Sequence, residues 1–229
     1  MHNFLSADIE NFRLQVWAQY SEACSRCVEK ANFAATGFKN LVFSDHAPSE
    51  RIAVAMWSKC VRACQAAFLL AERGMIPDAQ GTLRGAVETL FHATALVRKP
   101  EVLERMLAHD DIEKGKHVKR MLAHTEISSV LSSDDRQRLE SIVKEQKGPA
   151  FSVYDAAMAS ELGHLYETIY RTLSQHAAHS TLSSLNHELE DGGKILVMGP
   201  TTAQIEWTIK LITECLDAGI YVMSPILKN

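Results

Sequence analysis

The sequence predicts an all-α fold, a multi-helix bundle in a single domain over residues 1–229, with one small β-hairpin at about 182–198 before the C-terminal helix. Two observations carry this expectation. Apolar residues recur three, four or seven positions apart along most of the chain, the spacing that gathers them on one face of an α-helix. Strict alternation followed by a Gly-Gly turn and a β-branched return leg occurs at the hairpin. With 229 residues, 46% hydrophobic and 23% charged, the chain is long enough for one substantial core, short for two, and ordinary in its balance for a globular protein.

The first helix is expected from Ser6 to about Phe38, where Ile9, Phe12, Val16, Tyr20, Ala23, Cys27, Ala34 and Phe38 form one stripe at about 100° per residue. Asp45 to Ser49 reads as a loop and N-cap. A second helix runs from about Ser49 to Arg73, and the breadth of its apolar face (Met56, Trp57, Cys60, Val61, Cys64, Ala67, Phe68) marks it as central and buried. Gly74 suits the C′ position, and Pro77-Asp78 opens a third helix through about Arg98 with a seam of Leu83, Val87, Leu90 and Val97.

Pro100 begins a short helix through Leu107, and the polar stretch from His109 to Thr125 is locally basic at Lys114, Lys116, His117, Lys119 and Arg120. Ser132-Ser133-Asp134-Asp135 resembles an N-cap with an acidic first turn, starting a helix that ends near Gly148-Pro149. Helical segments follow at about Val153 to Leu162 and His164 to Ala178. The hairpin joins 182–189 to 194–198 across Glu190-Asp191-Gly192-Gly193, and Gly199 to Thr202 leads into a last long helix through about Met223.

A formal charge of −4 repels phosphate backbones as a whole, so a nucleic-acid role needs a local basic site. The N-terminus lacks a basic n-region and an apolar h-region, and no apolar run reaches the roughly 18 residues of a membrane span, so a cytoplasmic location without membrane contact is expected. The five cysteines are expected to be reduced. Cys24 with Cys27, and Cys60 with Cys64, have zinc-like spacings, but both pairs fall inside helical patterns and read as buried structural thiols. No metal or other cofactor is expected. Walker, Rossmann and G-x-S-x-G signatures are missing from the sequence.

Two groups of residues remain for chemistry. On the third helix Arg84, Glu88 and His92 step by four, about 40° apart. They read either as an Arg-Glu ion pair between helices or as the floor of a polar pocket. The densest group is Tyr170 to Thr181, where Tyr170, Arg171, Ser174, His176 and His179 gather at a helix end, a place where a rigid scaffold meets accessible side chains. His176 and His179 there either carry function or simply bond the last carbonyls of their helix. Glu88, His92, His176 and His179 are also the donor types a metal-dependent hydrolase would use, although the matching carboxylate-plus-His helix of a di-iron bundle is not visible.

Arg171, four residues and then His176 resemble the R-x4-6-H pattern of the HEPN superfamily, helical domains that include toxin and phage-defence ribonucleases. The resemblance implies metal-independent RNA cleavage by attack of the ribose 2′-hydroxyl on the neighbouring phosphate. Arg171 would neutralise the developing phosphorane charge and His176 would act as general base or acid. It also implies a homodimer with the site across its interface, RNA as substrate, and a partner protein from a defence or toxin-antitoxin operon. The wider run from Leu173-Ser174 through Ala177-Ala178-His179-Ser180-Thr181 to Leu185, with Arg84 and Glu88 upstream, is similar to a bacterial family of uncharacterised helical proteins. The rival expectation is a non-catalytic helical sensor or protein-binding module, in which Arg84, Glu88, His176 and His179 organise a polar pocket for an unknown ligand.

Overall fold

The computed structural model describes residues 4–39, 41–144, 149–175, 189–190 and 194–227. Its core is built by α2 (Ser21–Thr36), α3 (Pro48–Ala71), α4 (Ile76–Arg98) and the C-terminal α11 (Ile205–Leu227), with α3 and α4 packed antiparallel along their lengths. The broad apolar face expected of α3 is buried at Trp57, Cys60, Val61, Cys64, Ala67 and Phe68, with Met56 partly buried beside them. By length and composition α3 is long and apolar enough to cross a membrane, which a search for unbroken apolar runs does not reveal. In the fold it is the central core helix.

The N-terminal region departs from the single helix expected. The chain folds α1 (Ile9–Gln19), breaks at Tyr20 (φ −120°, ψ 35°), and resumes as α2. The break lets α1 cross the end of α3, where Glu72 is 3% exposed. Trp17 Nε1 donates to Glu72 Oε2 at 2.7 Å, Arg73 Nη1 donates to Oε1 at 2.5 Å, and Arg13 Nη1 stands 3.6 Å away. A buried carboxylate is costly unless it is paired in this way, so the break and the charge cluster come together.

α5 (Val102–Ala123) is a second departure, because it runs unbroken through the stretch expected to be non-helical after Leu107. Its own charges support the winding: Lys114 pairs with Asp110 and with Asp111, and Lys116 with Glu113 at 2.7 Å, all three or four positions apart. A short α6 (Thr125–Val130) then leads to α7 (Ser133–Lys144), which packs back on α5. Ser132 Oγ accepts from the Asp135 N–H at 3.1 Å, the cap anticipated there. α8 (Val153–Ala159) has a reciprocal cap, with Asp155 N–H to Ser152 Oγ at 3.1 Å and Ser152 N–H to Asp155 Oδ2 at 2.8 Å.

α9 (Gly163–Leu165) passes through a π-helical turn (Tyr166–Tyr170) into α10 (Arg171–Leu173). The hairpin is seen as an antiparallel pair, β1 (Leu189–Glu190) with β2 (Ile195–Leu196), in the register Leu189 to Leu196 and Glu190 to Ile195. The pairing is shorter than expected: Glu190, expected in the turn, lies in β1, Lys194, Val197 and Met198 lie outside the strands, and 182–188 and 191–193 lie outside the described residues.

Two glycines mark tight contacts. Gly74 ends α3 at φ 75°, and a Cβ there would meet the Phe12 ring at 2.8 Å and Pro200 at 2.9 Å. Gly219 lets α11 lie against Trp57, because a Cβ at that position would fall 2.1 Å from the indole Cζ3. Gly219→Ala should therefore lower the unfolding free energy by about 1–3 kcal/mol through overpacking. Gly85→Ala, on α4 with nothing within 4 Å of the added Cβ, should raise it by up to about 1 kcal/mol. Chemical denaturation of the two variants checks the opposite signs.

Candidate functional site

Helical spacing on α4 sends Arg84 and Glu88 toward the π-helical turn, and Tyr170 at the end of that turn and Ser174 just after α10 meet them. Arg84 Nη2 stands 2.9 Å from Glu88 Oε1 and donates to the Tyr170 hydroxyl at 2.7 Å, while Arg84 Nε donates to Ser174 Oγ at 2.9 Å. The Tyr170 hydroxyl donates in turn to Glu88 Oε1 at 2.6 Å. Ser174 Oγ gives its own proton to the Tyr170 carbonyl at 2.8 Å. Arg84 Cζ also lies over the Tyr170 ring, 4.9 Å from its centroid, a cation–π contact within the same cluster.

The cluster is half-buried, with the Arg84 and Glu88 side chains 24% and 29% exposed. Charge-assisted bonds in such a setting are stronger than at a free surface, and this set closes on itself. Burial, with the Glu88 carboxylate beside it, pushes the Tyr170 phenol up to about 12, so the hydroxyl is neutral and serves as a fixed donor at neutral pH. The arrangement pins the π-helical turn to α4. Single π-turns inserted in helices recur at functional positions, and this one sits where the candidate residues converge.

Aromatic packing extends the same face. Tyr166 stacks on Tyr170 with centroids 5.1 Å apart, Tyr154 meets Tyr166 edge-on at 5.3 Å, and Phe91 closes on Tyr170 at 6.1 Å. Neither Tyr154 nor Tyr166 was singled out in the sequence. The four-residue step from Tyr166 to Tyr170 is the signal that could have flagged one of them.

The other candidates are placed differently. His92 does not join the cluster: its Nδ1 bonds the Glu88 carbonyl of its own helix at 2.8 Å, and its ring meets Phe151 edge-on at 5.9 Å. The carbonyl accepts, so Nδ1 carries the proton. Arg171 is 59% exposed and pairs with Glu167, four residues before it, at 3.0 Å. His176 and His179 lie outside the described residues.

A rise in a phenol's pKa on folding means that the unfolded chain loses its proton first as pH climbs. The stabilisation from Tyr170 is complete below pH about 10 and is lost as pH rises toward about 12. Tyr170→Phe should therefore flatten the alkaline loss of stability across that window. At pH 7 it should cost about 1–2 kcal/mol, because the hydroxyl joins two charged groups. Denaturant midpoints of both proteins between pH 7 and 11 measure the effect, and parallel alkaline limbs would show that the hydroxyl is not shifted.

Comparison with known proteins gives one family. No curated protein and no solved structure matches the chain. A family model described as a family of unknown function, DUF5677, matches residues 50–195, a span that takes in α3, α4, the π-helical turn and the Arg171 to His176 segment. Since that span covers more than half of the sequence, the chain belongs to this family.

Proposed function

We propose that this protein is a HEPN-like, metal-independent endoribonuclease of a toxin or phage-defence system, acting as a homodimer. One observation supports the reading: π-helical winding flanks an exposed Arg171 on a helix anchored to α4 by its inner face, with Arg171 itself in the α-helical turn α10. On a regular α-helix positions five apart lie about 140° from one another. The chain adopts π-type winding at Tyr166–Tyr170 and again at 174–175. Where that winding holds, i→i+5 hydrogen bonds bring positions five apart toward neighbouring faces. The Arg84, Glu88, Tyr170 and Ser174 network holds that helix to α4 while leaving the Arg171 guanidinium in solvent.

The surface pair with Glu167 is weak enough for Arg171 to exchange it for a phosphate. In the proposed reaction the ribose 2′-oxygen attacks the adjacent phosphorus, and the bond to the 5′-oxygen breaks. The products are a 2′,3′-cyclic phosphate and a 5′-hydroxyl. His176 takes the 2′ proton or supplies one to the leaving 5′-oxygen, and water carries the other of these two transfers. Arg171 stabilises the phosphorane, with two parallel bonds where both nitrogens reach. The two copies of the motif would face each other across the dimer.

A second reading, a non-catalytic sensor or partner-docking module, is favoured by a specific observation: Lys114 and Lys116 on α5 are paired with acids of their own helix, which weakens the basic surface an RNA would need. An RNA-cleavage assay with toxicity on expression separates the two. Arg171→Ala and His176→Ala should each lower cleavage by about 10²–10⁴-fold. Arg171→Ala should leave thermal stability within about 0.5 kcal/mol, because the residue is exposed. Wild-type protein that leaves cellular RNA intact removes the nuclease reading and leaves the binding module.

A further inference from the structure

Cys60 and Cys64 are four apart on α3 and share one face, and Cys215 on α11 meets that face where the helices pack. Their three Sγ atoms all lie within 4.8 Å of one another, with 3.9 Å between Cys60 and Cys215. All three are free thiols in the buried core. Three sulfurs bound at about 2.3 Å to a common centre stand about 4 Å from each other, so the trio is within a small side-chain adjustment of a trigonal coordination shell. A disulfide would need two of these sulfurs at about 2.05 Å, a much larger closure.

Charge selects the ion. Net charge in an apolar interior is heavily penalised. Zinc prefers four ligands, and among the described residues no fourth Cys, His, Asp or Glu joins the group. Three thiolates around a divalent ion would also leave a buried negative charge. A soft monovalent ion needs only one thiolate, with the other two sulfurs donating as neutral thiols, and the centre is then neutral. Soft sulfur donors select Cu(I) among the common metals.

We infer that Cys60, Cys64 and Cys215 form a buried binding centre for one Cu(I) ion that ties α3 to α11. On binding, three Cu–S bonds form, one S–H proton leaves to solvent, and no electron is transferred. Because the centre lies inside the core, loading accompanies folding or a transient separation of the two helices.

The test is anaerobic titration of the reduced full-length protein with Cu(I) buffered by bicinchoninate, both as folded protein and after refolding from denaturant. One Cu(I) per chain should be retained, and X-ray absorption should show about three sulfurs at about 2.3 Å. Cys215→Ala should weaken retention beyond the roughly 10–100-fold that loss of an outer-shell partner causes. A Cys24→Ala/Cys27→Ala double variant, which alters buried thiols outside the trio, should bind as the wild type does. The X-ray absorption readout on wild-type protein stands even where Cys215→Ala fails to fold. Failure of wild-type protein to retain the ion in both preparations, a shell of nitrogen or oxygen donors, or undiminished retention in folded Cys215→Ala overturns the assignment.

Discussion

The contact between Gly219 and the Trp57 indole sets the distance at which α11 can lie on α3, and the rest of the bundle is arranged around that approach. Trp57 is among the largest fully buried side chains, and α11 reaches α2, α3 and α4 from the position this contact allows. Protein interiors are close-packed, so one missing side chain at a helix crossing moves whole faces rather than single atoms. The same crossing brings Cys215 to Cys60 and Cys64, although they are 155 positions apart in the case of Cys60.

From this core the candidate site is reached by way of α4. One face of α4 packs Leu83, Val87 and Leu90 into the bundle, and its edge carries Arg84 and Glu88 outward to Tyr170 and Ser174. The site is thus held by a buried helix on one side and by a π-helical turn on the other. Its polar members satisfy each other while Arg171, one residue beyond Tyr170, stays in solvent. A closed inner network thus lies beside an exposed cation, and the network fixes the geometry of the helix that carries it.

Much of the helical architecture was legible because apolar periodicity reports burial directly, and Trp57, Leu83 and Val87 fell where the stripes put them. The interruption at Tyr20 was not legible, since the stripe continues across it and the break is made by docking on Glu72, a tertiary event. The continuation of α5 past Leu107 was hidden for the opposite reason: its face is mostly polar, and the local ion pairs that support it leave no hydrophobic signal. At the site, the four-residue steps of α4 announced Arg84 and Glu88 as neighbours but could not name Tyr170 as their partner. His92 shared that spacing and yet turned to its own backbone. Cys215 carried no spacing relation to the other thiols, so only the fold could join it to them.

The span shared with the family begins at residue 50, whereas the side chains of Arg13 and Trp17 that hold the Glu72 carboxylate lie before it. α2 and α11, which cover α3 on its remaining sides, also fall outside that span. A fragment cut to the family limits would present a stranded acid and a wide oily surface to water, and it should clump or be degraded rather than fold. The matched span therefore leaves out side chains and helices that pack directly on α3.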